Sequence, residues 1–345
     1  MNDRVERLRA KLEEPLLVSD PVNVRYLSGL DSSNAALLVE PERVRLFTDF
    51  RYAESARAVE GVEFVETERD LFQSLADTLT GRIGFEATSV TYERYARLHA
   101  GGIDPAPTYG EVEALRAVKD DGELKALRRA SEITSKAFEE FADERFIGRT
   151  ERELAWRMEQ LQREIGGEAM SFPAVVAAGA NSARPHTTPG EREVKAGEIL
   201  LVDTGCIVDG YCSDCTRTFA TGPLPDELHR AYEVCLDAQL EGLEAVRPGA
   251  SGPGVDAAAR DKIEAAGFGD AFGHGLGHGV GLLVHETPRL ARESRDTLVE
   301  RMVVTVEPGI YLSGLGGIRI EDLVVVRDGE PEVLTTFTKD LISVD

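Results

Sequence analysis

The apolar positions change period repeatedly along the chain, and the changes mark its elements. Up to about residue 115, short β-like runs alternate with helical ones. A charged amphipathic stretch from Val5 to Leu12 leads into PLLVSD, a short strand. VNVRYLSGL follows, and AALLVEPERVRLFTD then sets two apolar runs on either side of a Pro41-Glu42 turn. FRYAESARAV has a helical period, VEFVE reads as a strand, DLFQSLADTL as a helix and RIGFE as a strand. TYERYARLHAGG reads as a helix stopped by glycine. This alternation predicts an α/β unit on a mixed or parallel sheet.

A charged cluster, AVKDDGELK at 117–125, marks the boundary, giving expected domains of 1–116 and 117–345. A long helix follows, with Asp120 or Asp121 as its cap and Leu124, Leu127, Ile133, Phe138 and Phe141 on one stripe. Thr150-Glu151-Arg152-Glu153 has the pattern of a capping box, opening a second helix that runs to Ile165. Strand-like runs come next: SFPAVVAAG, EILLVDTGCIV and YCSDCTRTFA. Helices are expected over Asp226–Val246 and Val255–Ala266, then strands in HGVGLLVHE, MVVTVEPGIYL and IRIEDLVVV. The order helix–helix–strands thus occurs twice, at 120–220 and 225–345. It predicts an α+β domain of two similar halves with a site between them.

Composition adds one unusual property. The 345 residues are ordinary in apolar content, at 42%, but carry a formal charge of −23, and lysine occurs only at 11, 119, 125, 136, 195, 262 and 339. That balance disfavours nucleic acid and anionic membranes as partners. An acidic surface poor in lysine suits a salt-rich cytoplasm, where screening removes most self-repulsion. The charged N-terminus lacks the apolar stretch of a signal peptide, and no apolar run approaches the roughly 18 residues that span a bilayer, so the expected location is cytoplasmic. Cys206, Cys212, Cys215 and Cys235 read as reduced structural thiols, because the single C-x-x-C has no second half-site.

The candidate chemistry lies in the last 145 residues. Asp203 stands in LLVDTG, Asp214 in YCSDCTRTF, His278 in GHGLGHGVGL and Glu307 in VTVEPGIY. GIRIED supplies a further carboxylate; period two sets Glu321 on the face of Arg319 and Asp322 on the other. Four carboxylates and an imidazole suit two divalent cations sharing bridging oxygens, a pair that makes hydroxide from water at neutral pH. Asp209-Gly210 is a strong type I′ hairpin signal. With those residues as the turn, 203 faces 216 and 205 faces 214, so Asp203 and Asp214 lie diagonally on one face, about 7–8 Å apart at the backbone. His186, His274, His278 and His285 all fall in Gly- or Pro-rich segments near these carboxylates, whereas His99 and His229 read as structural.

Together these segments resemble the pita-bread metallopeptidases: prolidase, Xaa-Pro aminopeptidase and methionine aminopeptidase. The resemblance covers nearly the whole chain. NVRYLSGL and FTDFRYAESA are similar to the creatinase-type amino-terminal domain, which methionine aminopeptidases usually lack. It implies a creatinase-like α/β domain followed by a pita-bread catalytic domain. It selects Glu321 over Asp322 and makes Asp203, Asp214, His278, Glu307 and Glu321 the metal ligands, with Asp214 and Glu321 bridging. It also implies catalytic roles for Glu307, as proton shuttle, and for His186 and His285, as oxyanion-stabilising groups. His274, Arg319 and Tyr311 match further substrate-binding positions. Arg289, in VHETPR, resembles the arginine that grips the free carboxylate of a dipeptide.

The implied activity is hydrolysis of the bond before proline in Xaa-Pro dipeptides. Removal of the first residue from longer Xaa-Pro peptides is the alternative. A non-catalytic binding module or a metal-free creatine hydrolase on this scaffold would lack carboxylates that are all present here. The implied cofactors are two divalent cations, Mn(II) or Co(II) favoured and Zn(II) or Fe(II) compatible. The implied assembly is a homodimer acting on short proline-containing peptides. From the charge alone, thermal stability is expected to rise steeply between low and molar KCl; a flat melting temperature across that range would remove the salt-adapted reading.

Overall fold

Residues 3–345 are described in the computed structural model, and the chain divides into two units between Arg116 and Ala117. The first unit runs α1 (Asp3–Arg9), β1 (Leu16–Val18), α2 (Pro21–Ser28), β2 (Ala35–Val39), β3 (Val44–Asp49), α3 (Ala53–Arg57), β4 (Glu63–Thr67), α4 (Leu71–Thr78), β5 (Gly81–Glu86), α5 (Tyr92–Ala100) and β6 (Ile103–Thr108), with α6 (Glu113–Ala117) at its end. Its six strands form one mixed sheet in the order β4-β3-β2-β1-β5-β6. Leu17, Leu38, Phe47, Leu75, Phe85 and Leu98 build its core.

Two elements here exceed the apolar pattern. VNVRYLSGL belongs to α2, started by Asp20, whose carboxylate accepts from the Val22 and Asn23 amides, with Pro21 in the first turn. Strand β6 carries Pro105 and Pro107, which hide it from a strand template. It pairs only with β5, at the sheet's edge, where a missing amide donor is tolerated.

The second unit opens with α7 (Asp121–Ala142) and α8 (Glu151–Ile165). Both begin with capping boxes, Asp120 with Glu123 and Thr150 with Glu153, each cap contributing about 1 kcal/mol. The stripe of Leu124, Leu127, Ile133, Phe138 and Phe141 is buried. Then come β7 (Ala169–Met170), β8 (Val175–Ala178), a 3-10 turn (Gly179–Ala183), β9 (Ile199–Thr204), β10 (Cys206–Val208), β11 (Tyr211–Cys212) and β12 (Cys215–Ala220).

The second half repeats the plan with α9 (Asp226–Ala245) and α10 (Gly252–Ala265). Its strands are β13 (Gly277–Gly279), β14 (Glu286–Leu290), β15 (Val303–Val306), β16 (Gly309–Leu312), β17 (Gly316–Arg319), β18 (Asp322–Val325) and β19 (Glu332–Val333). Helix α10 starts before Val255 because Ser251 caps it, accepting from the Gly254 amide. The fold is α+β, and each half centres on a core, with a third cluster of Leu124, Tyr211, Val303 and Leu323 shared between them. Phe138, Phe141, Leu154 and Met158 pack on Val202 and Phe219; Tyr232, Val255 and Ile263 belong with Val304, Ile310 and Ile318.

The strands differ from the expectation in one consistent way. HGVGLLVHE is not a single strand: β13 ends at Gly279 and β14 returns antiparallel to it. EILLVDTGCIV, YCSDCTRTFA, MVVTVEPGIYL and IRIEDLVVV are each split in two, at Gly205, at Ser213-Asp214, at Glu307-Pro308 and at Ile320-Glu321. Each split lets one chain leave one small sheet and join another. Period two cannot reveal such a kink, because the residues on both sides stay apolar and alternate normally. Among the described residues, no helix is long and apolar enough to cross a membrane.

Candidate active site

The strand splits coincide with the chemistry. Asp203 is the penultimate residue of β9, just before the first split; Asp214 and Glu307 sit in the second and third, and Glu321 sits in the fourth. Register on either side of the hairpin follows the Asp209-Gly210 turn, with both residues at positive φ, 52° and 83°. Asp203 faces Thr216, and Ile207 faces Cys212. At Gly205 the strands approach so closely that a Cβ would overlap the Ser213 carbonyl. That approach turns Asp214 out of the ladder and toward the second half.

Single ligand atoms of Asp214, His278 and Glu321 lie within 4.8 Å of one another. His278 Nε2 stands 3.7 Å from Asp214 Oδ2 and 3.1 Å from Glu307 Oε1. Thr305 Oγ1 donates to Glu307 Oε1 at 3.0 Å and accepts from the His278 amide at 3.1 Å. On the other side, buried Arg319 organises the cluster. It donates to Asp203 Oδ2 at 2.6 Å, to Thr216 Oγ1 at 3.0 Å and to the Tyr311 hydroxyl at 3.0 Å. Thr216 donates onward to Glu321 Oε2 at 2.7 Å, and Tyr311 meets His274 Nε2 at 2.9 Å.

Asp322 takes no part in this cluster. Its carboxylate is held by Arg217, Lys339, Gln239 and Thr335 on the opposite side of the strand. Arg217 also donates to the Glu321 carbonyl, so this second network fixes the backbone of the split that carries Glu321.

The electrostatics are those of anions short of a cation. Burial first, then repulsion by Glu321, Asp203 and Glu307, pushes the Asp214 carboxyl well above its usual range. Glu321 is pushed well up in the same way, by burial and by Glu307 and Asp203. Burial also raises Asp203, although Arg319 pulls against it. For Glu307, burial is outweighed by the His278 hydrogen bond and charge, which hold its carboxyl at about 2. Asp203 Oδ1 is buried with no hydrogen-bond partner among the described residues. A buried orphan oxygen is costly, and a hard divalent cation is the species that both satisfies it and neutralises its neighbours. The donor set fits such ions.

The remaining candidates surround this centre. The His285 ring stands 4.4 Å from the His278 ring, edge to face, and is exposed. Burial lowers the basicity of both His285 and His274, so each imidazole stays neutral into lower pH than a free one. His186 is exposed on the segment after the 3-10 turn. Arg289 faces His278 across the β13–β14 ladder and is exposed; opposite residues share a sheet face, so its side chain lies on His278's side.

Thr216, Thr305 and Arg217 escape a motif reading. Two of them leave a signal: the hairpin register sets Thr216 opposite Asp203, and period two sets Thr305 on the face of Glu307.

Residues 125–328 match the model of metallopeptidase family M24, and residues 4–118 match that of the creatinase/prolidase N-terminal domain. The protein therefore belongs to metallopeptidase family M24. It is 38% identical to YqhT, an uncharacterized peptidase of Bacillus subtilis, over 95% of each chain. Among solved structures it is similar to an Xaa-Pro dipeptidase from Bacillus anthracis, with 36% identity, a TM-score of 0.95 and 99% of each chain covered. It is also similar to an X-Pro aminopeptidase from Thermotoga maritima, with 34% identity, a TM-score of 0.89 and 99% and 100% of the two chains covered.

The close approach at Gly205 yields a direct expectation. Gly205→Ala forces the strands apart and displaces Asp214, at a cost of about 1–3 kcal/mol typical of overpacking. A melting temperature equal to that of the parent would show that the contact does not constrain the turn.

Proposed function

We propose that this chain is a two-metal peptidase hydrolysing the bond before proline in Xaa-Pro dipeptides. The observation that carries the reading is the convergence of Asp214, His278 and Glu321 within 4.8 Å, next to the orphaned oxygen of Asp203. The similarity to the Bacillus anthracis Xaa-Pro dipeptidase supports the substrate. Asp203, Asp214, His278, Glu307 and Glu321 would hold the ions. Bound there, divalent cations supply a hydroxide nucleophile at neutral pH and polarise the scissile carbonyl.

The protein's own groups do the rest. Glu307 takes the proton released at the nucleophile and passes it to the leaving nitrogen. His285 or His186 donates to the developing oxyanion. Arg319 holds Asp203 and Tyr311 in place, and His274 with Tyr311 lines the substrate side. Arg289 pairs with the free carboxylate of the dipeptide. The proline nitrogen carries no N–H, so recognition rests on ring shape rather than on a donor. Oxygen-rich ligation favours Mn(II) or Co(II), with Zn(II) or Fe(II) compatible. Four buried free thiols suit a reducing cytoplasm, and the assembly is read as a homodimer.

A second reading is removal of the first residue from longer Xaa-Pro peptides, favoured by the similarity to the Thermotoga maritima enzyme. Two measurements test these readings. EDTA should abolish Ala-Pro hydrolysis and Mn(II) or Co(II) should restore it; activity that survives exhaustive chelation would end the metal mechanism. Arg289→Ala should weaken Ala-Pro turnover by at least about tenfold, as for a lost charged hydrogen bond, and spare Ala-Pro-Ala. Equal loss on both peptides would remove Arg289 from carboxylate recognition.

A further inference from the structure

Glu151, outside the site, closes the segment that carries His186. It is the first residue of α8 and is fully buried. Its Oε1 accepts from the Ala178 amide and from Asn181 Nδ2, both at 2.9 Å. Its Oε2 accepts from the Gly190 amide at 3.1 Å. Ala178 ends β8 and Asn181 lies in the 3-10 turn, so one oxygen grips the chain where it leaves the sheet. The other grips it where it returns. Backbone bonds reinforce the return: the Arg152 amide donates to Gly190 O at 3.1 Å and the Glu151 amide to Arg192 O at 3.0 Å. Between these anchors, residues 184–189 have no helix or strand.

Helix capping does not explain this carboxylate. Thr150 and Glu153 already satisfy the start of α8 as a capping box. Glu151 instead collects three donors from outside its helix, and only a carboxylate accepts on both oxygens. A glutamine would turn donor hydrogens toward either the Gly190 amide or the Ala178–Asn181 pair. Charge-assisted bonds of this kind are the stronger ones, and tying both ends of a loop removes much of its freedom.

We propose that Glu151 is a positioning residue that fixes the 182–190 segment so that His186 stands over the active site. This deepens the reading above and rests on His186 acting there.

The test combines kinetics with amide hydrogen exchange on the full-length, Mn(II)-loaded protein, using Glu151→Gln, His186→Ala and the double variant. Glu151→Gln should lower kcat on Ala-Pro about tenfold. In the His186→Ala background it should cost less than about twofold, the non-additivity expected of residues acting through one another. Exchange at 184–190 should quicken while α8 keeps its protection. Fully additive kinetic losses, or unchanged exchange at 184–190, would overturn the proposal. Should Glu151→Gln not fold, Asn181→Ala removes one anchor only: a smaller loss of the same kind with quickened exchange supports the proposal, and none overturns it. A wild-type protein inert toward Ala-Pro defeats the peptidase reading instead, while the exchange comparison still judges Glu151 as a clamp.

Discussion

Asp203, Asp214, Glu307 and Glu321 repel one another in a nearly dry pocket, and the surrounding chain is arranged around that repulsion. Two unit charges 4 Å apart interact by about 4 kcal/mol even at an effective dielectric of 20. The protein offers only partial relief. Arg319 divides its donors among Asp203, Thr216 and Tyr311, and His278 leans on Glu307. Asp214 and Glu321 are left with carboxyls driven well up by burial and by the neighbouring carboxylates. A pocket built this way is poised for cations: its affinity for them is the stored repulsion released.

Holding such groups together demands backbone that does not relax. Asp214, Glu307 and Glu321 sit in strand splits and Asp203 just before one, and separate contacts brace the backbone around them. Gly205 permits the approach that aims Asp214, and Thr305 holds Glu307. Arg217 grips the Glu321 carbonyl and pairs with Asp322, which Lys339 also meets at 2.6 Å. Two adjacent carboxylates, Glu321 and Asp322, thus serve opposite ends. One is held short of positive charge, while the other is fully compensated and keeps a low-lying carboxyl despite its burial.

Much of this is legible along the chain. The start of α8 was readable because its capping box, Thr150 with Glu153, is local and needs no tertiary context, and the cap of α7 was narrowed to Asp120 or Asp121. The hairpin register was readable because Asp209-Gly210 admits positive φ at two successive positions. The strand splits were not, since a kink between two well-patterned apolar runs keeps the alternation intact. Strand β6 was hidden by prolines that only an edge position accommodates. Asp322 and Glu321 were separable as faces, but which face meets the cluster depends on the sheet's partners, and adjacent residues carry no record of them. Arg217 was invisible for the same reason: its partners Asp322 and Phe337 lie more than a hundred positions away.

Each half of the second unit centres on a hydrophobic core, yet the cluster of carboxylates belongs to neither. Asp203 and Asp214 come from the first half; His278, Glu307 and Glu321 come from the second. Strand β12 supplies the seam, where Thr216 accepts from the Glu321 amide and Thr218 bonds the Arg319 backbone. The halves also share apolar surface, where Leu124, Leu127 and Tyr211 of the first pack in one cluster with Val303, Leu323 and Val325 of the second. The full cluster therefore exists only once the halves have docked, and a half-assembled chain presents two or three of its five groups.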